Sequence, residues 1–347
     1  EPQYFQRTAT VLLPKDYLRY RMTGKKVSDM SDAAGTLWLD VAKRDWSDSL
    51  LDNCGLSRSR MPTLVEGCEV SATLDPQVAE RWGLNASVAV AGGGGDNAVS
   101  AIGVGAVSPG DAFISLGTSG VLFVVTDAYR PAPQSAVHAF CHVLPNLWHQ
   151  MSVMLSAASC LQWFCRLTGT TEVALLEEIA QLSEEEKAHA PFFLPYLSGE
   201  RTPHNDPDAR GMFWGMTHSS LRAQLGYAVL EGVSFGINDG LRVLKESGTR
   251  IEQCSLVGGG ARSPFWAQLL ADILDMPVVT HKGGETGGAL GAARLACLAA
   301  GKPLAAVCEK PEVWQTWRAD PVRHQTLMRR YAQFNALYLN DLNYRQH

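Results

Sequence analysis

Apolar positions along the chain change their period several times, and each change marks an element. The stretch Asp16-Tyr17-Leu18-Arg19-Tyr20-Arg21-Met22-Thr23 runs into Gly24 and predicts a helix that stops at the glycine. Ser28 to Thr36 is small and polar and predicts a loop. Ser87 to Ala91 is a short apolar run and predicts a buried strand, entered from a turn at Gly83-Leu84-Asn85. It ends in Gly92-Gly93-Gly94-Gly95. Asp96 follows, then a small-residue helix from Asn97 to Gly105 whose face suits very close packing.

A turn signal at Val107-Ser108-Pro109-Gly110-Asp111 precedes a change of pattern. Ala112 to Ser115 and Val121 to Val125 are β-rich runs joined across Leu116-Gly117-Thr118-Ser119-Gly120, which predicts a hairpin. His138 to Leu144 and Trp148 to Met154 predict a second hairpin across Pro145-Asn146. The four strands read as an antiparallel meander. Helices are predicted over Ala157 to Thr168, Glu172 to Leu182 and Leu221 to Lys245. Ser255 to Val257 then predicts a strand running into Gly258-Gly259-Gly260 and a helix from Pro264 to Leu274. A strand over Pro277 to His281, a helix over Gly287 to Ala300 stopped by Gly301 and Pro303, and a helical stretch from Pro321 complete the pattern. Strands alternating with helices, with glycines at strand ends, predict an α/β layer architecture. The boundary falls near residue 107, giving domains over 1–107 and 108–347.

Composition narrows the class. The chain has 347 residues, enough for roughly two or three domains. A formal net charge of −5 speaks against nucleic acid or an anionic membrane as partner. No apolar run reaches the roughly 18 to 20 residues of a membrane helix. The opening Glu1-Pro2-Gln3-Tyr4-Phe5 has neither the basic start nor the apolar core of a signal peptide. The eight cysteines form no Cys-x-x-Cys pair and no zinc spacing, so free thiols in a reducing compartment are expected. A cytoplasmic enzyme is the class these features favour.

Candidate chemistry gathers at three glycine-rich strand ends. Asp96 behind four glycines suits a general base aimed into a gap left for substrate. A glycine turn with an Asp at the start of the next helix fits the same residues, and the segment alone leaves both readings open. Gly117-Thr118-Ser119-Gly120 presents backbone N–H groups and two hydroxyls, as a phosphate cradle does, and as an ordinary hairpin turn also does. Gly258-Gly259-Gly260-Ala261-Arg262-Ser263 lies between a strand and a helix, as nucleotide loops do. It is neither a Walker loop nor a dinucleotide fingerprint, since no Gly-Lys-Ser/Thr follows and the Gly-x-Gly-x-x-Gly spacing fails.

The order of the three is more specific than any one of them. It resembles the sugar-kinase branch of the actin-like ATPase (ribonuclease H-like) fold, the FGGY carbohydrate kinases, which include glycerol kinase, gluconokinase and xylulokinase. Gly211-Met212-Phe213-Trp214-Gly215-Met216, then seven residues, then Gln224-Leu225-Gly226-Tyr227-Ala228-Val229-Leu230-Glu231, is similar to that family's signature throughout. Leu13 to Gly24, Ser28 to Thr36, Ser198 to Asn205 and Gly288 to Arg294 resemble the xylulokinase branch.

The resemblance implies two domains with a cleft between them. It implies ATP and Mg2+ as cofactors and phosphorylation of D-xylulose to D-xylulose 5-phosphate. Asp96 would take the proton from the attacking hydroxyl, with Asn97 beside it at the sugar. Gly117, Thr118 and Ser119 would meet the terminal phosphates. Ala158, Gln162, Gly259, Gly260 and Ala261 would line the nucleoside site. Magnesium would be held largely through phosphates and waters. Glu200-Arg201 reads as a surface ion pair in preference to a substrate contact. A homodimer is compatible with the family.

Two departures stand out. The family's opening strand and first phosphate loop, an Asp then Gly-Thr, have no counterpart here, so the first domain reads as incomplete. The glycine run before Asp96 is one longer than in the family's pattern. Two other readings therefore stay open: a kinase for ribulose, gluconate or glycerol, or a nucleotide-binding fragment without activity.

Overall fold

The structure is a computed structural model that describes residues 1–282 and 287–346. Helix α1 (Pro14–Thr23) has Pro14 in its first turn, where the missing N–H costs nothing, and Gly24 closes it at φ 69°. Ser28 to Thr36 is not the expected loop. Val27–Asp29 is a strand paired in parallel with Thr63–Val65, and Met30–Ala33 is a short helix capped by Asp29, followed by a 3-10 turn over Ala34–Thr36. Polar composition hid these elements because Ser28, Asp29 and Ser31 are buried, Ser28 donating to Asp16 and Asp29 accepting from the hydroxyl and backbone N–H of Ser31.

The strand expected over Ser87 to Ala91 is Ala89–Ala91, antiparallel to Val70–Thr73 in a two-stranded ribbon. It is not buried, since Val88 and Ala89 are exposed. An apolar run shows what a strand will tolerate, and only its neighbours decide whether water is excluded. Helix α2 (Asp96–Gly103) begins one residue earlier than expected, with Gly95 as its N-cap.

The remainder is built on a seven-stranded sheet. In chain order its strands are β1 (Ala112–Leu116), β2 (Gly120–Thr126), β3 (His138–Cys141), β4 (Trp148–Met154), β5 (Cys254–Val257), β6 (Val278–His281) and β7 (Val313–Trp317). Across the sheet the order is β7-β6-β5-β1-β2-β4-β3. Both expected hairpins form, yet the four strands are not a meander: β4, not β3, pairs with β2, with Met154 opposite Gly120 and Trp148 opposite Thr126. Strand length explains the choice. β2 and β4 each run seven residues and pair over their full length, whereas β3 has four and takes the edge. β5 lies parallel to both β1 and β6, giving a mixed sheet.

Period-two alternation sorts the strands into two buried faces. Ile114, Leu116, Leu122 and Val124 meet helices α3 (Ala158–Thr168), α4 (Arg222–Glu246) and α5 (Pro264–Leu274). Phe113, Val121, Phe123 and Val125 meet Ala101 of α2 on the other face. Helix α6 (Gly287–Ala299) packs along α2 with backbones almost in contact: a Cβ on Gly103 or Gly291 would lie 1.9 Å from a carbonyl oxygen of the other helix. The closing helix α7 (Pro321–Gln346) docks on α4 through a buried ion pair, Arg330 to both oxygens of Glu231 at 2.6 Å. Among the described residues, no helix is long and apolar enough to cross a membrane.

Candidate functional site

The glycine run is held from both sides. Gly92 N–H donates to Glu69 O (2.8 Å), and Gly92 O accepts from the Arg19 guanidinium. Gly93 sits at φ 73° and donates to Gly67 O (3.0 Å). Side chains are excluded next to it: a Cβ on Gly92 would meet Glu66 O at 2.2 Å, and one on Gly94 would meet Val143 Cγ1 at 2.3 Å. Gly95 N–H donates to Ser31 Oγ (3.0 Å). Asp96 is therefore the exposed first residue of α2, where helix N–H groups favour a negative charge. Its Oδ1 accepts from the backbone N–H (2.7 Å) and Nδ2 (3.1 Å) of Asn97, so the two predicted sugar-side residues are linked.

The predicted nucleotide residues meet at one end of the large sheet. Ser115 of β1 lies opposite Val257 of β5, so the two strands leave the sheet together. Gly258 takes φ 87° and ψ −176°, a conformation open in practice only to glycine, and a Cβ there would meet Leu116 O at 2.7 Å. A Cβ on Gly260 would meet Leu116 Cβ at 2.7 Å, whereas one on Gly259 would face open space. Ala261 packs at the edge of the core.

The Gly117–Gly120 turn is stitched to the start of α3. Ala158 N–H donates to Gly117 O (2.9 Å), Ala157 N–H to Thr118 O (3.0 Å), and Ser159 Oγ to Thr118 O (2.7 Å). Gly117 N–H turns inward to Ser119 O (3.1 Å) and so is not presented outward. Thr118 and Ser119 are exposed. Gln162 is exposed one turn beyond Ala158 on the same helix face. Exposed hydroxyls, a bare glycine backbone and an exposed amide thus converge from three distant parts of the chain. Such a set can take phosphate oxygens and a nucleoside.

Asp96 is not brought to this end. Gly94 packs on Val143, just past β3, whose Cys141 pairs with Trp148 at the end of β4 away from the turn. Among the described residues no cluster of three or more His, Cys, Asp or Glu has metal-holding geometry.

Two groups were not legible from the sequence. Glu200 is not a surface ion pair with Arg201. It is buried, accepts from the backbone N–H groups of Leu155 (3.0 Å) and Arg201 (2.7 Å), and is pushed up to about 7 by burial against the pull of those bonds. Its bond to Leu155 anchors the segment that leads into α3. The second is an ion network beneath the glycine run, formed by Lys15, Asp16, Arg19, Asp29 and Asp32. The spacing of Lys15, Asp16 and Arg19 on one helix hinted at it, but Asp29 and Asp32 join only through the fold.

The family models complete the picture. The C-terminal domain of the FGGY family of carbohydrate kinases matches residues 112–300, and its N-terminal domain matches residues 1–103. The chain belongs to the FGGY family of carbohydrate kinases. It is 52% identical over 340 residues to the xylulose kinase of Escherichia coli (strain K12), covering 97% of this chain and 70% of that protein. It is 53% identical over 299 residues to the xylulose kinase of Klebsiella pneumoniae, covering 86% of this chain and 61% of that protein. The crystal structure of a xyloylose kinase from Brucella ovis superposes with a TM-score of 0.94 at 48% identity, covering 98% of this chain and 71% of that one. The α/β fold with its mixed sheet is that of these FGGY kinases.

Proposed function

We propose that this chain phosphorylates D-xylulose with ATP, giving D-xylulose 5-phosphate and ADP. The observation that carries the reading is the convergence of the Gly117–Gly120 turn, the start of α3 and the Gly258–Gly260 loop at one sheet end, in a chain 52% identical to a xylulose kinase. Residues 1–107 serve as the sugar-side domain and 108–347 as the nucleotide-side domain. Thr118 and Ser119 offer their hydroxyls to the terminal phosphates beside Gly117. Ala158, Gln162, Gly259, Gly260 and Ala261 line the nucleoside. When bound, ATP supplies the phosphoryl group, and magnesium, held through the phosphates and waters, offsets their charge.

Phosphoryl transfer then needs a positioned nucleophile. The Asp96 carboxylate accepts the proton of the sugar hydroxyl as its oxygen bonds to the terminal phosphorus, and the bond to the ADP oxygen breaks. Asn97 fixes that carboxylate. Because Asp96 and the turn stand apart, turnover includes a closing motion of the two regions that also excludes water. The setting is cytoplasmic, with a homodimer compatible with the family. An ADP-release assay on xylulose, ribulose, gluconate and glycerol tests the reading. Preferred turnover of xylulose is expected, and equal or absent turnover on all four overturns it.

A further inference from the structure

The glycine run could have been held by its own turn geometry, yet its two ends are tied to buried charges far away in sequence. At one end the Arg19 guanidinium donates to Gly92 O and to Val27 O (3.1 Å) and lies 3.3 Å from Asp16 Oδ1. At the other, Ser31 Oγ accepts from Gly95 N–H (3.0 Å) and donates to Asp29 Oδ1 (2.5 Å). Asp29 Oδ1 also takes the backbone N–H groups of Ser31 (2.9 Å) and Asp32 (3.1 Å), so the Ser31 hydroxyl has one orientation open to it. The other Asp29 oxygen has no aligned hydrogen-bond donor and rests on the Lys15 ammonium at 2.6 Å.

Lys15 joins the two ends, since it also meets Asp16 at 2.6 Å and Asp32 at 3.2 Å. Ser28 Oγ completes Asp16 by donating to its second oxygen (2.7 Å). Asp16, Asp29, Ser28 and Ser31 are all at most 4% exposed, and Arg19 is 6% exposed. Groups so placed hold one geometry, because any movement leaves a buried charge without its partner.

We infer that Ser31, oriented by Asp29, and Arg19 are positioning residues that aim Asp96 by gripping the two ends of the glycine run. The inference rests on Asp96 being the base. Glycines between the grips let the run pass under Val143 and beside Glu66, where no side chain fits. The run has no side chains of its own to fix its course, so external grips replace them. Small errors of aim matter for proton transfer: a misplacement of about 1 Å costs on the order of 10²-fold in rate.

The test uses the complete gene product that contains this chain. Ser31→Ala and Arg19→Lys are assayed for kcat and for KM of xylulose and ATP, alone and in combination with Asp96→Ala. ADP affinity and Tm report folding. The expected result is a fall in kcat on the order of 10- to 100-fold in each single variant, with ADP affinity unchanged and no further loss on adding either change to Asp96→Ala. A general loss of structure would lower ADP affinity too and would add to the Asp96→Ala effect. If Ser31→Ala folds poorly, Arg19→Lys carries the test, since it keeps the charge beside Asp16. Unchanged kcat in the folded single variants while Asp96→Ala abolishes turnover overturns this inference alone. Full turnover in Asp96→Ala overturns the base assignment, and the inference with it.

Discussion

Two glycine-rich strand ends do opposite things with the same residue. At Gly92–Gly95, Gly92 is wedged against Glu66 O and Gly94 against Val143, and the run ends in a carboxylate. At Gly258–Gly260 the outer two are wedged against Leu116, and Gly259 between them stands open. The first arrangement fixes the course of the chain so that one side chain can be aimed. The second fixes it so that the bare backbone at Gly259 faces open space. Glycine content is therefore no guide to role, and what surrounds each Cα is.

The comparison can be broken at several points, starting with the largest effect. Asp96→Ala should lower turnover on the order of 10²-fold or more while ADP affinity is kept, as measured by steady-state kinetics and calorimetry. If the aimed side chain matters less than the loop, turnover survives. Gly94→Ala should destabilise the fold by about 1–3 kcal/mol in denaturant unfolding, since its Cβ would lie 2.3 Å from Val143 and 2.9 Å from Ser31 Oγ. Gly258→Ala should cost a similar amount, about 1–3 kcal/mol, for its φ of 87° and its contact with Leu116 O. Gly259→Ala separates the two ends: stability should stay within about 0.5 kcal/mol, and any loss should appear in ADP affinity. A large loss of stability there would erase the contrast drawn between the loops.

The two ends also differ in how pH reaches them. Around Lys15, burial would lower the ammonium, but Asp29 and Asp16 outweigh it and hold it above the usual lysine value. Lys15 therefore keeps its charge through neutral pH. Glu200, which anchors the approach to α3, is raised by burial to about 7. A carboxylate raised on folding contributes stability below its ordinary value near 4.5, and that contribution is lost as pH rises through about 7. Glu200→Gln keeps an acceptor for Leu155 and cannot ionise. Its Tm should fall less between pH 6 and pH 8 than that of the parent, as scanning calorimetry would read. An unchanged pH slope would place the titration elsewhere.

Much of this was legible in the residues. The helix ending at Gly24 and the hairpin around Gly117–Gly120 follow from local pattern, because glycine and period-two alternation act over a few residues. The strand over 27–29 and the edge position of β3 did not follow, because each depends on which partner is long enough and near enough. Glu200-Arg201 misled for a related reason. Adjacent opposite charges usually face water, and only the packing of residues 155–157 shows that this carboxyl is buried and takes backbone donors.

By itself, then, the sequence determined the α/β class, the glycine-rich strand ends, Asp96 as the residue at the end of one of them, and the FGGY resemblance. These are carried by short-range spacing. Only the tertiary structure decided that the residues proposed for the nucleotide meet at one sheet end, that Asp96 stands apart from them, and that a charge network built on α1 holds its loop. Those are long-range pairings among buried polar groups. Their partners are chosen by the whole fold, because inside a protein each charge must find whichever partner the packing leaves beside it.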